Sequence, residues 1–597
     1  MTDHWVANLV APLALWVLAN GIDDLFIDIV SLLGYFLAKI SKDTTHRRPG
    51  ESDLDSVPAR HMAVFVAVWK EHKVIQRMID NNVTRLNYPR CDFFVGAYPN
   101  DKLTIAAIEE SMKRYPNVHL SLSPHDGPTS KADNLNWIFQ RMLLYEQQHG
   151  VHFDMVLTHD AEDLMDPDAL RWINYYAQWN DMVQIPVLAL PTPFWNLTHG
   201  VYCDEFAEFQ FKDMPARQLL GGFIPSNGVG TGFSRKALDT LARKYSNRIF
   251  EPACMTEDYE NGFRIRSLGM AQKFIPIHRR DGRPIATREY FPLRFKMAIR
   301  QRTRWIMGIT LQSWEYHSAR ETLRHLYWFW RDRRGLPGNL VTPLANLLFL
   351  AGLSTWTWSR ATHRDWLLGR ELSRFSAICI VGLCIQGLQT TIRAVCSGRI
   401  YGWRFACGVP LRVIVGNAIN SIATARAIGI YVKAKYRGEP LRWLKTEHSY
   451  PNREALLTKR RRLGEILTGS QWITPEQLEA ALSSRPAGLR LGKHLVNLGM
   501  ITEQDLYRAL SLQNNLPLGK PAAEIVSVQV TRALPAEIAR RWRLLPFRIA
   551  GGELYVAGAE LPGEEMQREI RGFSSLEVRF QLVTPGEYEE LAAAYLT

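Results

Sequence analysis

Between residues 62 and 163 the chain alternates two periodicities, and that alternation leaves few folds open. Residues 62–69 (MAVFVAVW) form the continuous apolar stretch of a strand buried on both faces. Helical spacing comes next, at Val74, Ile75, Met78 and Ile79. A second strand is predicted over 91–98, a helix over 104–115, a strand over 118–122, a helix over 131–145 and a strand over 153–158. Strands alternating with helices predict a mostly parallel, doubly wound α/β sheet with its ligand beyond the strand C-termini. The last strand runs into His159-Asp160-Ala161-Glu162-Asp163, an acidic cluster at such an end.

At ~100–200 residues per domain, the 597 residues suggest about three to five domains. Apolar residues at 46% and charged residues at 22% exclude whole-chain disorder, collagen-like repeats and coiled coil. Seven Cys without a CxxC exclude a disulfide scaffold and a Cys-rich zinc module, and fit free thiols in a reducing compartment. The net charge of +13 points to an anionic partner. Nucleic acid is not expected, because the basic residues gather at apolar borders and no aromatic-basic recognition module is present.

Apolar blocks flank the alternating region. Residues 5–19 and 25–40 are each short of the ~20 residues that span a bilayer. One long tilted helix crossing once is the simplest reading, with a re-entrant hairpin turning at Asp23-Asp24 as its rival. Lys39, Lys42, Arg47 and Arg48 come at the end of the second block, which places that flank in the cytoplasm by the positive-inside tendency. Residues 340–358 and 375–395 are further candidate spans, although Arg360, Arg364, Arg370 and Arg374 between them fit an external loop poorly. Residues 409–432 carry Arg412, Asn417, Asn420 and Arg426. A charge at the bilayer centre costs at least ~2.5 kcal/mol, so an interfacial helix is expected there.

Three motifs carry chemistry. Asp160 and Glu162 offer hard oxygens suited to Mg²⁺ or Mn²⁺, which binds through one or two carboxylates and shares a substrate diphosphate. An acidic loop capping the helix near Asp168 is the plainer reading of the same residues. Thr256-Glu257-Asp258 precedes a helical pattern over 259–267, so a carboxylate there is either a general base or a first-turn acid favoured by the helix dipole. Gln301-Arg302-Thr303-Arg304-Trp305, if helical, sets Gln301, Arg304 and Trp305 on one face. Such a face can fork onto a diphosphate and seat a sugar ring, or lie on anionic lipid.

In this order, and followed by membrane helices, these motifs resemble family 2 glycosyltransferases of the cellulose- and hyaluronan-synthase type. Ser130-Lys131-Ala132-Asp133-Asn134-Leu135-Asn136 resembles the family's Lys-Ala-x-x-Leu-Asn segment, and Glu71 resembles the acid closing its first strand. Glu162 stands where the family has a second Asp, the first-strand Pro and Asn are absent, and Asp101 corresponds to the second-strand acid. The resemblance implies a GT-A fold and inverting transfer from a UDP-sugar to a growing glycan. Asp258 would be the base, and Asp160 and Glu162 would hold the metal. Glu71, Asp101, Lys131, Gln301 and Arg304 would bind the nucleotide-sugar, and Trp305 would seat the acceptor. Asn227 to Arg235 resembles a small-residue turn near the acceptor, or is a Gly-rich turn and nothing more.

Beyond residue 458 the chain repeats itself at an offset of 28 residues, with ten of 24 positions identical between the blocks starting at Arg462 and Arg490. Tandem helical hairpins would explain this on their own. The pattern RLGxxLxxxGxxxxxxLxxxLxxQ is similar to the MshEN domain, which implies binding of cyclic di-GMP. The residues it marks are Arg462, Leu463, Gly464, Leu467, Leu478 and Leu482 in the first block. In the second they are Arg490, Leu491, Gly492, Leu495, Gly499, Leu506, Leu510 and Gln513. The first block departs at Gln471 and Arg485.

Transferase, membrane zone and this module in one chain resemble the bacteriophage adsorption protein B family. That implies cyclic-di-GMP-stimulated synthesis of a surface polysaccharide at the bacterial inner membrane, with an outer-membrane export partner and both soluble domains cytoplasmic. N-acetylmannosamine is the sugar it suggests. A non-catalytic cyclic-di-GMP-responsive scaffold and single-sugar transfer to a lipid-linked acceptor are the alternatives. The expected domains are a membrane segment and linker (1–60), a GT-A domain (61–290), interfacial helices (291–335), membrane helices (336–435), a linker (436–457) and an α/β MshEN-like module (458–597).

Overall fold

The computed structural model describes residues 2–40, 49–277, 279–280, 283–317, 322–366, 373–438, 441, 462–469, 472–486, 488–514, 516–550, 553–574 and 576–596. Lys42, Arg47, Arg48, Arg370, Gln471 and most of the expected linker 436–457 lie outside them. The chain forms two compact units, Met1–Tyr450 and Pro451–Thr597.

The first unit is built on a seven-stranded sheet. Its strands are β1 (Met62–Ala67), β2 (Cys91–Ala97), β3 (Val118–Leu122), β4 (Met155–His159), β5 (Met182–Gln184), β7 (Thr231–Ser234) and β8 (Gln272–Phe274). β6 (Val187–Ala189) and β9 (Thr287–Glu289) pair in parallel beside it. The order is β3-β2-β1-β4-β7-β5-β8. β1, β2, β3 and β4 are parallel, whereas β7 lies antiparallel between β4 and β5, which makes the sheet mixed. The apolar run of β1 is buried almost throughout because the helix Lys131–His149 covers it, with Leu135, Ile138, Phe139 and Met142 in one core with Phe65 and Phe94.

The N-terminal run is one helix, Thr2–Ile40, so the hairpin turn at Asp23-Asp24 does not occur. Both carboxylates instead meet Arg331 and Arg334. Among the described residues, three helices are long and apolar enough to cross a membrane: Leu323–Thr362, Ser376–Tyr401 and Val409–Arg437. By composition the third therefore qualifies as a span where an interfacial helix was expected. Its contacts show more. Near its start Arg412 is fully buried and forks onto Asp204 at 2.6 and 3.0 Å. Near its end Lys435 meets Glu315 at 2.7 Å, and between them Ala427 packs on Met255 and Met307. Leu411, Ile414, Ile422 and Val432 are exposed. At ~1.5 Å per residue, about 35 Å of this helix separates the two ion pairs, and along it the helix packs on Leu197–Glu208, Phe295–Trp305 and Gly335–Thr362.

The second unit explains its repeat by packing. Helix Leu463–Gly469 packs on Glu503–Asn514, and Pro475–Ser484 on Leu491–Asn497, an exchange with pseudo-two-fold character. A Cβ on Gly464 would meet Leu478 at 2.9 Å, and one on Gly492 would meet Leu506 at 2.3 Å. The same glycine-to-leucine approach thus recurs at the same offset. A three-stranded sheet completes the unit, β10 (Leu544–Ala550), β11 (Glu553–Gly558) and β12 (Glu577–Leu582), antiparallel and then parallel.

The Arg412–Asp204 pair determines what altering this seam costs. Arg412→Ala strands a buried carboxylate and should cost about 3–5 kcal/mol, read as a lower unfolding temperature in detergent. Joint replacement, Arg412→Met with Asp204→Leu, should recover most of it.

Candidate active site

Eight residues singled out by the sequence line one pocket at the C-terminal ends of β1 and β4: Glu71, Lys131, Asp160, Glu162, Asp258, Gln301, Arg304 and Trp305. Each arrives on a different device. Lys131 opens a helix capped by Ser130, whose Oγ accepts the Asp133 N–H at 3.2 Å. Its ammonium is ion-paired with the Asp160 carboxylate. Asp160 and Glu162 sit on the turn after β4, and Asp163 beneath them holds that turn. Its carboxylate accepts the Asp160 N–H at 2.9 Å and faces buried His159 at 2.8 Å. Burial pushes the Asp163 carboxyl up to about 6 against the pull of His159. Asp163 thus holds the turn.

Asp258 stands in the first turn of the helix Glu257–Ser267, with Oδ1 accepting the Tyr259 N–H at 2.8 Å. Burial raises its carboxyl above the usual aspartate range, opposed by Lys131 and Arg304. Burial and the Asp258 charge push neighbouring Glu257 up to about 7. Opposite lies the glycine turn after Asn227. Gly228 has φ +76°, and a Cβ there would come within 2.6 Å of Asp258 Oδ2. Only glycine lets the backbone pass this close to that carboxylate.

Gln301, Arg304 and Trp305 share a face of the helix Phe295–Trp305, and all three reach the pocket. Arg302 points elsewhere, pairing with Glu205 and covering the Tyr202 ring at 4.5 Å. The helix then widens into a π-helical segment, Ile306–Gln312.

Asp101 is not on the wall. Its carboxylate accepts the Lys70 N–H at 2.5 Å and so fixes the bend ahead of Glu71. Sequence reasoning gave no role to Glu289, Trp69 and Tyr98, which do line the pocket, as does Glu257 of the Thr256-Glu257-Asp258 motif. Glu289 ends β9, and the bridge between Leu164 and Arg288 brings it beside the acidic turn. Burial, then Asp163, Glu162 and Asp160, hold its carboxyl well above the usual range.

Six carboxyls (Glu71, Asp160, Glu162, Glu257, Asp258 and Glu289) therefore share the pocket with two cations, Lys131 and Arg304. Among the described residues no group of three or more His, Cys, Asp or Glu is set to hold a metal on protein ligands alone. This donor set fits a hard divalent ion that takes one or two carboxylates and completes its shell from a bound phosphate group. The negative excess beside Asp160 and Glu162 is the electrostatic environment that favours such an ion.

In the second unit Leu467 and Leu495 are core, with Leu463, Leu478, Leu491 and Leu506 packed against them, and Leu510 joins the neighbouring core. Arg462, Leu482, Arg490 and Gly499 are exposed, while Gly464 and Gly492 are buried and Gln513 is partly buried.

Residues 58–308 match the family described as glycosyltransferase like family 2, and residues 514–596 match the MshEN domain. The second match begins after the repeat. Bacteriophage adsorption protein B of Escherichia coli (strain K12) is 34% identical over 577 residues, 92% of this chain and 76% of the relative. Among solved structures, one described as MshE with cdg is 27% identical over 23% of this chain and 99% of its own, at a TM-score of 0.22. The mannosyltransferase PcManGT from Pyrobaculum calidifontis, in complex with GDP-Man and Mn2+, is 14% identical over 68% of this chain and 99% of its own, at a TM-score of 0.38.

Gly228→Ala should displace the Asp258 carboxylate and lower turnover at this pocket by ~100-fold.

Proposed function

The chain belongs to the bacteriophage adsorption protein B family, and from that premise we propose that it is an inverting, UDP-sugar-dependent polymerase of a secreted surface polysaccharide. The observation that carries this reading is the convergence of Lys131, Asp160, Glu162, Asp258, Gln301, Arg304 and Trp305 on one pocket. UDP-N-acetylmannosamine is the donor that membership in this family suggests, and the product would serve phage adsorption through an outer-membrane export partner.

Asp258 accepts the proton of the acceptor hydroxyl as that oxygen bonds to the anomeric carbon. The bond from that carbon to the diphosphate oxygen breaks on the opposite face, and its electron pair leaves with UDP. A carboxylate with a raised pKa is the stronger base for this step. Asp160 and Glu162 would hold Mg²⁺ or Mn²⁺, which when bound supplies Lewis-acid neutralisation of the leaving diphosphate. Lys131 and Arg304 place positive charge on the same group, and Gln301 orients it. Trp305 offers its indole to the acceptor end of the glycan. The rings of Trp69 and Tyr98, with centroids 5.4 Å apart beside the pocket, suit the base. Asp101 acts behind the wall by holding Lys70.

The fastened ends of the helix Val409–Arg437 support an interfacial position, since partners on one side of a bilayer cannot hold both ends of a crossing helix. Ser376–Tyr401 then returns what Leu323–Thr362 carries across, and both soluble domains lie on the cytoplasmic side of the inner membrane, where the nucleotide-sugar is made. The N-terminal helix adds a crossing, its first half beside Gly338, Gly382 and Ile385. The arginines between the two spans oppose this orientation only as a bias of insertion, whereas the ion pairs at 2.6 and 2.7 Å are contacts.

Cyclic di-GMP is the proposed activator. Arg462 and Arg490, exposed and at equivalent places in the repeat, suit the guanines or phosphates of a pseudo-symmetric ligand. Leu482 would add exposed apolar wall, and Gly499 would let the backbone approach the ligand.

Membranes supplied in turn with a panel of UDP-sugars should incorporate one of them into a product resolvable by mass, faster with cyclic di-GMP. Asp258→Asn should lower incorporation by at least ~10³-fold. Full turnover by that variant would refute the assigned base. Titration of cyclic di-GMP into the full chain should show binding that Arg490→Ala removes, and unchanged affinity would discredit that site.

A further inference from the structure

Resting on the transfer reading above, we propose that Gln312 is a positioning residue, which holds the base loop at a set distance from the acceptor seat. Gln312 is buried at the end of the π-helical segment after Trp305. Its side-chain amide grips the loop ahead of Asp258 at two points. Oε1 accepts the Met255 N–H at 2.8 Å, and Nε2 donates to the Ala253 carbonyl at 3.0 Å. Two further residues of the same segment reinforce the grip. Gly308 lies so close to Thr256 that a Cβ would meet its Oγ1 at 2.3 Å, and Met307 packs against Met255.

The widened turn makes these contacts possible together. An α-helix advances about 100° per residue, so side chains four and seven apart stay near one face. The extra residue per turn of the π segment rotates the residues beyond it away from that face. Gln301, Arg304 and Trp305 can therefore face the pocket while Met307, Gly308 and Gln312, farther along the same continuous helix, face the base loop. The acceptor seat and the base loop become parts of one body, joined through a single amide and a close-packed glycine. A loose amide here shifts Asp258 relative to the acceptor hydroxyl, and leaves the donor site on Lys131, Asp160 and Glu162 intact.

That separation gives a readout which misfolding does not imitate. UDP is released either by transfer to the acceptor or by hydrolysis, and the ratio of UDP released to sugar incorporated is independent of how much enzyme is folded. The assay uses full-length protein in membranes with labelled UDP-N-acetylmannosamine. Gln312→Leu is expected to lower kcat by ~10- to 100-fold, leave the donor KM within about twofold, and raise the release-to-incorporation ratio several-fold. Gln312→Glu, which keeps the acceptor for Met255 and loses the donor to Ala253, should fall between Gln312→Leu and wild type. Gly308→Ala should share the raised ratio. An unchanged ratio, whether kcat falls or not, overturns the proposal. Asp258→Asn run alongside separates the two levels: its full activity would undo the reading of the pocket, whereas full activity of the Gln312 variants alone would undo only this inference.

Discussion

Crowded negative charge is the constraint on which this molecule is arranged. Six carboxyls face two cations in one pocket, and the Lys131–Asp160 pair is the contact that makes the crowd tolerable. Burial works to lower the Lys131 pKa, and Asp160 followed by Glu257 overcomes it, so the ammonium stays charged. Three of the carboxyls, Glu257, Asp258 and Glu289, respond by holding their protons more tightly. A site that stores charge this way gains from a divalent ion.

Bringing these groups together takes close approach as well as charge. Asp258 meets the backbone at Gly228, Thr256 meets Gly308, and the acidic turn is pinned by Asp163. The two glycine contacts join segments far apart in the chain, so the pocket behaves as one packed body. The helix Val409–Arg437 extends that body, packing Ala427 on Met255 and Met307 while other apolar side chains along it stay exposed.

Much of this was legible from residue order. The apolar run of β1, the alternation after it and the shared face of Gln301, Arg304 and Trp305 rest on periodicity, which packing here respects. The antiparallel β7 was not legible, because a four-residue strand carries too little pattern to show direction. Glu289 and Gln312 escaped for related reasons. Glu289 closes a three-residue strand with no periodic signal, and Gln312 ends a π segment that breaks the 3.6-residue count. Hydropathy separated apolar from polar helices, yet it carries no sign of the contacts that Val409–Arg437 makes with Asp204 and Glu315, partners distant in sequence. In the repeat, Leu467 and Leu495 are buried with Ile466, Ile473, Ala481, Ile501 and Ala509, while Leu463, Leu478, Leu491 and Leu506 are partly buried against that core.

The central claim is that these groups converge on one activated sugar. A structure determined with UDP and Mn²⁺ tests it most directly. The account requires Mn²⁺ density between the diphosphate and the carboxylates of Asp160 and Glu162, with Lys131 and Arg304 on the phosphate oxygens. Nucleotide bound elsewhere, or in this pocket with its diphosphate away from Asp160, would contradict it.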